Sequence, residues 1–217
     1  MLLAWVLLSS PLQAVVISEL HYHPPEGQEA LEFLEITNDA YSPEDISGWA
    51  FVEGIRFEFP PGTILRGREA LVVCTNVAAL RAEYGIDNAI GNYDGKLDGS
   101  GERLTLVNHV GIVMQSLRYR DGGKWPVGPD GTGHSLILKS LNLDPAEPES
   151  WTQSSALGGS PGLPNEPAVE PTVFFNELFR GASQGDGWVE MHNAGSDALD
   201  VSGWSPRGWS PLPRRQS

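Results

Sequence analysis

Two glutamates and two histidines near the start of the chain have the types and spacing that chemistry could use. Glu19, His21 and His23 alternate along one apolar run, so an extended strand puts all three on the same face. Glu35 lies in the next run, Phe33-Leu34-Glu35-Ile36-Thr37-Asn38, with turn residues Pro24-Pro25-Glu26-Gly27 between the two. Glu19 and Glu35 stand equally far from Gly27, so a hairpin turning there sets them opposite each other, where like charges repel. Three arrangements accommodate such a pair. Each carboxylate accepts hydrogen bonds that hold a neighbouring loop. The two share a divalent cation, with His21 and His23 as further ligands. Or they act as a general acid and base. The first is preferred, because no substrate-handling residues accompany the pair. Glu19, His21, His23 and Glu35 stay as weak metal candidates, and no catalytic or cofactor-binding residue is assigned.

Other motifs fall short of a known chemistry. The stretch 92–102 is rich in Asp and Gly, but Lys96 occupies a position where a calcium loop needs Asp or Asn, so it reads as a turn-rich connection. Gly131-Thr132-Gly133-His134-Ser135 lacks the last glycine of a nucleophile elbow, Ile137 standing in its place, and Ser135 reads as the start of a strand. Cys74 is the single cysteine, which excludes an intrachain disulfide, and it ends the apolar run Leu71-Val72-Val73-Cys74. Trp49 and Trp204 follow the same Ser-Gly pair and read as buried anchors. Trp125 and Trp151 sit among Pro and Ser and are the better candidates for an exposed aromatic platform that binds sugars.

The elements that position these residues are short strands. Ile55-Arg56-Phe57-Glu58-Phe59 alternates cleanly until Pro60-Pro61-Gly62 stops it. Leu104, Leu106, Ile112, Met114, Leu136 and Leu138 mark later strands. One short helix is expected where Val77, Leu80 and Tyr84 recur, capped by Thr75 or Asn76 and closed by Gly85, lying at one end of the sandwich. No βαβ rhythm is present. The pattern is all-β: two packed antiparallel sheets with one helix.

The chain also repeats itself. Val16-Ile17-Ser18-Glu19-Leu20 is echoed by Phe174-Phe175-Asn176-Glu177-Leu178, and residues 33–38 by Trp188-Val189-Glu190-Met191-His192-Asn193. Asp45-Ile46-Ser47-Gly48-Trp49 returns as Asp200-Val201-Ser202-Gly203-Trp204, after a loop three residues shorter in the second set. Both glutamates recur as Glu177 and Glu190, but Phe179 and Gly181 stand where the histidines would be. The expected organisation is a signal peptide at 1–14, a β-sandwich at 15–165, a linker at 166–172, the start of a second, incomplete copy at 173–204, and a disordered tail at 205–217. The leader rests on the apolar run Leu2 to Leu8, broken by Ser9-Ser10-Pro11 and followed by the small Ala14. That run is too short to span a bilayer.

The formal net charge of −14 excludes nucleic acid and anionic membrane surfaces as natural partners.

Taken in order, Glu19-Leu20, residues 33–38, Ile46-Ser47-Gly48-Trp49, Phe59-Pro60-Pro61-Gly62-Thr63 and Leu71-Val72-Val73 resemble the bacterial lamin-tail domain. Gly101-Glu102-Arg103-Leu104-Thr105-Leu106, Trp125-Pro126, Gly133-His134-Ser135-Leu136 and Ser160-Pro161-Gly162 with Asn165 extend the resemblance to about residue 165. It implies an immunoglobulin-like antiparallel β-sandwich in a secreted setting, where bacterial relatives stand beside spore-coat-kinase-like, nuclease or phosphatase domains. The expected function is a non-catalytic binding or spacer module, secreted or at the cell surface, with no cofactor and no membrane span. Its partner is an unidentified extracellular protein or glycan. The alternative is an accessory domain of a larger exported hydrolase or spore-coat-kinase-like protein.

Overall fold

The computed structural model describes residues 14–165, 173–179, 187–194, 198 and 201. The expected leader apart from Ala14, the linker, Trp204 and the tail lie outside the described residues. The chain divides into two units, changing at residues 169 and 170.

The first unit is an immunoglobulin-like all-β sandwich with one short helix. Strands β1 (Val15–His21), β2 (Phe33–Asn38), β3 (Glu44–Asp45), β4 (Ala50–Glu53), β5 (Phe57–Glu58), β6 (Ile64–Leu65) and β7 (Ala70–Cys74) precede helix α1 (Val77–Tyr84). After it come β8 (Ala89–Gly91), β9 (Arg103–Val107), β10 (Val113–Arg118), β11 (His134–Leu138) and β12 (Trp151–Leu157). One sheet has the order β12-β11-β1-β2-β7-β8, the other β10-β9-β4-β5, and β3 pairs with β6 alone. Between the two larger sheets lies one apolar cluster, with Ile17, Leu20, Leu34, Ile36, Trp49, Phe51, Phe59, Leu104 and Leu106 in it. The alternation at 55–59 holds: Ile55 and Phe59 are buried, and Arg56 and Glu58 are exposed.

Three details depart from the sequence reading. Strand β8 runs parallel to β7, so β7, α1 and β8 form one βαβ unit. A strand of three residues is too short to show a period of two, and an antiparallel partner would have needed a hairpin where the helix stands. The helix itself lies on the outer face of the six-stranded sheet rather than at an end of the sandwich. Leu80, with Val77 and Tyr84 beside it, packs there on Phe33, Val72, Cys74 and Ala89. An apolar stripe on a helix needs an apolar partner, and these sheet residues supply it. Its caps are as read: the Asn76 side chain accepts from Ala79 N–H at 3.0 Å, and Gly85 adopts φ 65°. Finally, Trp125 and Trp151 are core residues at 6% and 2% exposure, their ring centroids 6.2 Å apart. Indole N–H of Trp151 finds the Pro145 carbonyl at 2.9 Å, so a loop-like context conceals a satisfied buried ring. Neither offers a sugar platform.

In the second unit, β13 (Val173–Phe179) pairs antiparallel with β14 (Trp188–Asn193). Glu177 faces Glu190 across one register shift between Phe175 and Glu177. β1 and β2 have the same arrangement, with Glu19 facing Glu35 and the shift between Ile17 and Glu19. Among the described residues no helix is long and apolar enough to cross a membrane.

Candidate functional site

The hairpin of β1 and β2 sets Glu19 directly opposite Glu35, as equal spacing from Gly27 requires. Strand alternation carries both carboxylates to the outer face of the six-stranded sheet, with His21 and Phe33 next along it. Both glutamates are buried, at 0% and 1% exposure. What covers them is the chain that follows β12.

That segment is fastened by hydrogen bonds from both ends. Ser160 donates to Glu19 through its backbone N–H, at 2.9 Å to Oε1, and its hydroxyl, at 3.2 Å to Oε2. Ser135, on β11, donates its hydroxyl to Glu19 Oε1 at 2.5 Å. Glu35 receives the Gly162 N–H at 2.7 Å, the Ser18 hydroxyl at 2.7 Å and the Thr37 hydroxyl at 3.4 Å. Asn165 closes the set, its side-chain amide donating to the Ser18 carbonyl at 2.7 Å. Ser18 can do this because the register shift in β1 falls between Ile17 and Glu19. A bulge leaves its extra residue outside the ladder.

Electrostatically the pair is unfavourable as two anions. Burial holds the Glu19 carboxyl above the ordinary glutamate range, and its hydrogen bonds pull only part of the way back. Glu35 is raised by burial and then by the Glu19 charge. Two carboxylates this close titrate as a unit.

The histidines do not join them. The Nδ1 of His21 lies 3.1 Å from the Leu31 carbonyl, and its Nε2 is buried with no hydrogen-bond partner among the described residues. Burial lowers its pKa. His23 falls beyond the end of β1, so it does not share a strand face with Glu19; it is exposed and pairs with Asp130 at 2.6 Å. Turn residues 24–27 begin too soon after His21 for the strand to continue. Among the described residues no three His, Cys, Asp or Glu are grouped to hold a metal ion.

A third glutamate, missed in the sequence, does similar work. Buried Glu32 accepts from the Tyr93 hydroxyl at 2.6 Å and Leu97 N–H at 2.7 Å, anchoring the 92–102 stretch. Burial raises its pKa. In that stretch Asp98 receives Ser100 N–H at 2.9 Å and the Ser100 hydroxyl at 2.7 Å, so it organises a turn. The only signal for Glu32 in the sequence is a charge immediately before an apolar strand. Cys74 is buried, and burial pushes its thiol up to about 11, far from a nucleophile's range.

One substitution tests the fastening directly. Gly159 has φ +80°, and a Cβ there would press on Glu19 Oε1 and lie 2.6 Å from Ser135 Oγ. Gly159→Ala is expected to cost about 1–3 kcal/mol from the left-handed backbone alone, with the clash adding to it. A urea melt of the full chain reads this, and an unchanged midpoint would mean that the segment is not held as described.

The arrangement defines a class before it defines a family: an immunoglobulin-like sandwich whose buried carboxylates tie down its own loops. The family model of the Lamin Tail Domain matches residues 9–121, just over half of the 217 residues, and the chain belongs to that family. Lamin tail domains are immunoglobulin-like and generally non-catalytic. The match covers β1 to β10, while β11, β12 and the fastened segment lie beyond it yet complete the same sheet. Comparison with curated proteins finds no match.

Proposed function

We propose that this chain is a non-catalytic binding or spacer module of the lamin-tail type that works outside the cell, and that residues 173–204 begin a second copy. The observation that carries the first part is the saturation of Glu19 and Glu35 by the domain's own donors, Ser135, Ser160, Ser18, Thr37 and Gly162. Carboxylates used in this way are unavailable as a general acid and base, which must reach a substrate proton.

The second copy is supported by geometry as well as by sequence. In β13 and β14 the shift, the facing glutamates and the donor to the second of them all return, Asn176 donating to Glu190 as Ser18 donates to Glu35. Phe175 and Met191 occupy the register positions of Ile17 and Ile36 but are 67% and 45% exposed. An apolar row of that kind needs a second sheet to cover it.

The apolar run Leu2 to Leu8, broken by Ser9-Ser10-Pro11 and followed by Ala14, supports export. The test is a screen of the full chain against immobilised glycans, peptidoglycan and extracellular proteins, each followed for both retention and turnover. Retention with the ligand recovered unchanged is expected. Hydrolysis or modification of any ligand by the purified chain would overturn the non-catalytic reading.

A further inference from the structure

A different part of the sandwich gathers carboxylates around a buried hydroxyl that nothing satisfies. A cleft of about 650 Å³ opens where the turn after β1, the loop at 96–100 and the loop at 121–130 come together. Its walls carry Glu26, Glu29, Glu32, Asp98, Asp121 and Asp130, against one lysine, Lys96. Several of these acids are committed elsewhere, Glu32 to Tyr93, Asp98 to Ser100 and Asp130 to His23. Asp121 and Glu26 have no hydrogen-bond or ion-pair partner among the described residues.

Tyr22 lines the same cleft. It is 2% exposed, and its ring packs on Tyr119 with centroids 4.8 Å apart. Its hydroxyl is buried with no hydrogen-bond partner among the described residues. Buried hydroxyls are nearly always paired, and an unpaired one in a native fold calls for an explanation. Burial first, and then the charges of Asp130 and Asp121, hold this hydroxyl above tyrosine's ordinary range. The hydroxyl therefore lies in the field of those two acids, and all three residues line the cleft.

The surroundings specify what would satisfy it. Carboxylates only accept hydrogen bonds, and the oxygen of an unpartnered phenol can accept one too. The missing group is a donor and a cation. The acids are spread along the walls, and among the described residues no three are grouped as a metal ion would need. A spread set suits a cation whose charge and donors are themselves spread. Guanidinium presents five N–H donors in a planar fork, while an ammonium concentrates its charge at one point. The volume is within the range of ligand pockets and has room for residues flanking one side chain.

We propose that this cleft binds an arginine side chain of a basic peptide, with the Tyr22 hydroxyl as acceptor and Asp121 as counter-charge. The proposal rests on the reading of the chain as a binding module and adds the site and the chemistry of its ligand. Tyr22 and Asp121 are specificity residues for that peptide, and the Glu19–Glu35 fastening takes no part.

The experiment is calorimetric titration of the full chain with acetylated tetra-arginine amide, beside the same peptide carrying citrulline, which keeps the shape and loses the charge. Saturable binding is expected, weakening as salt rises and about tenfold or more weaker for the citrulline peptide. Tyr22→Phe removes a hydroxyl that has no partner, so the variant alone should melt at or slightly above the parent. It should nevertheless bind the arginine peptide about tenfold more weakly. Asp121→Asn, on an exposed side chain, should weaken binding and flatten its salt dependence. No binding of the arginine peptide, equal binding of the citrulline peptide, or unchanged affinity in both variants would each overturn the site. Displacement of the peptide by equimolar calcium would overturn the choice of ligand. None of these results touches the non-catalytic reading, which only turnover can overturn.

Discussion

Trp49→Ala is expected to destabilise the first unit by about 3–5 kcal/mol, the usual cost of deleting a fully packed indole. Trp49 is 4% exposed and belongs to the cluster between the two sheets, with Phe51 and Phe59 in the same cluster. Its backbone is equally committed: its N–H donates to Ile46 carbonyl at 3.0 Å, and its own carbonyl accepts from Phe59 N–H at 2.9 Å. The preceding glycine is part of the same device. Gly48 has φ +70°, and a Cβ there would sit 3.3 Å from His109 Cβ, so the chain enters the core through a turn that favours glycine. A void of this size cannot collapse around so many anchored neighbours. Guanidinium unfolding of the full chain measures the loss, and Trp49→Phe, which refills part of the space, should recover a good part of it. A cost under about 1 kcal/mol would place the ring outside the core.

What the sequence made legible follows from which interactions are local. The facing of Glu19 and Glu35 depends on a single connection and a single turn, and spacing about Gly27 captures it. The helix caps are legible for the same reason, since Asn76 and Gly85 act within one turn of their own residues. The partners of the glutamates are another matter. Gly162 reaches Glu35, and Ser160 reaches Glu19, only after β11 and β12 have joined the sheet beside β1. No periodicity encodes that return, although Ser160-Pro161-Gly162 and Asn165 stand out by family resemblance. Composition misleads at Trp125 and Trp151, where Pro and Ser neighbours suggest a surface loop while the rings themselves complete the core. The cleft at Tyr22 is invisible for the same reason as the fastening: its acids come from segments around residues 26, 98, 121 and 130.

The stability gained by Glu35→Gln relative to the parent is expected to grow as pH rises from the ordinary glutamate value of 4.5. Glu35 is raised in the folded state by burial and then by the Glu19 charge. Between its unfolded and folded values the native chain therefore holds a proton that the unfolded chain has released. Stability falls with pH across that interval, by up to about 1.4 kcal/mol per pH unit for one such group. The contribution is fully present below 4.5 and lost as pH climbs through the raised value. Glutamine cannot ionise, yet its amide oxygen can still accept from Gly162 N–H, the 2.7 Å bond that fastens the segment. At acid pH the two proteins should be close in stability, and above neutrality the variant should be the more stable. A solvent-exposed carboxylate making the same bonds would behave otherwise, with the variant weaker at every pH. His21 runs in the opposite sense, because burial lowers its pKa and its stabilising neutral form is lost as pH falls. Parent and variant share His21, so the difference between their urea midpoints, measured from pH 4.5 to pH 9, reports the Glu19–Glu35 pair alone. A difference that stays flat, or that turns against the variant at high pH, would mean that the donors Ser18, Thr37 and Gly162 stabilise the anion by more than burial and Glu19 oppose it.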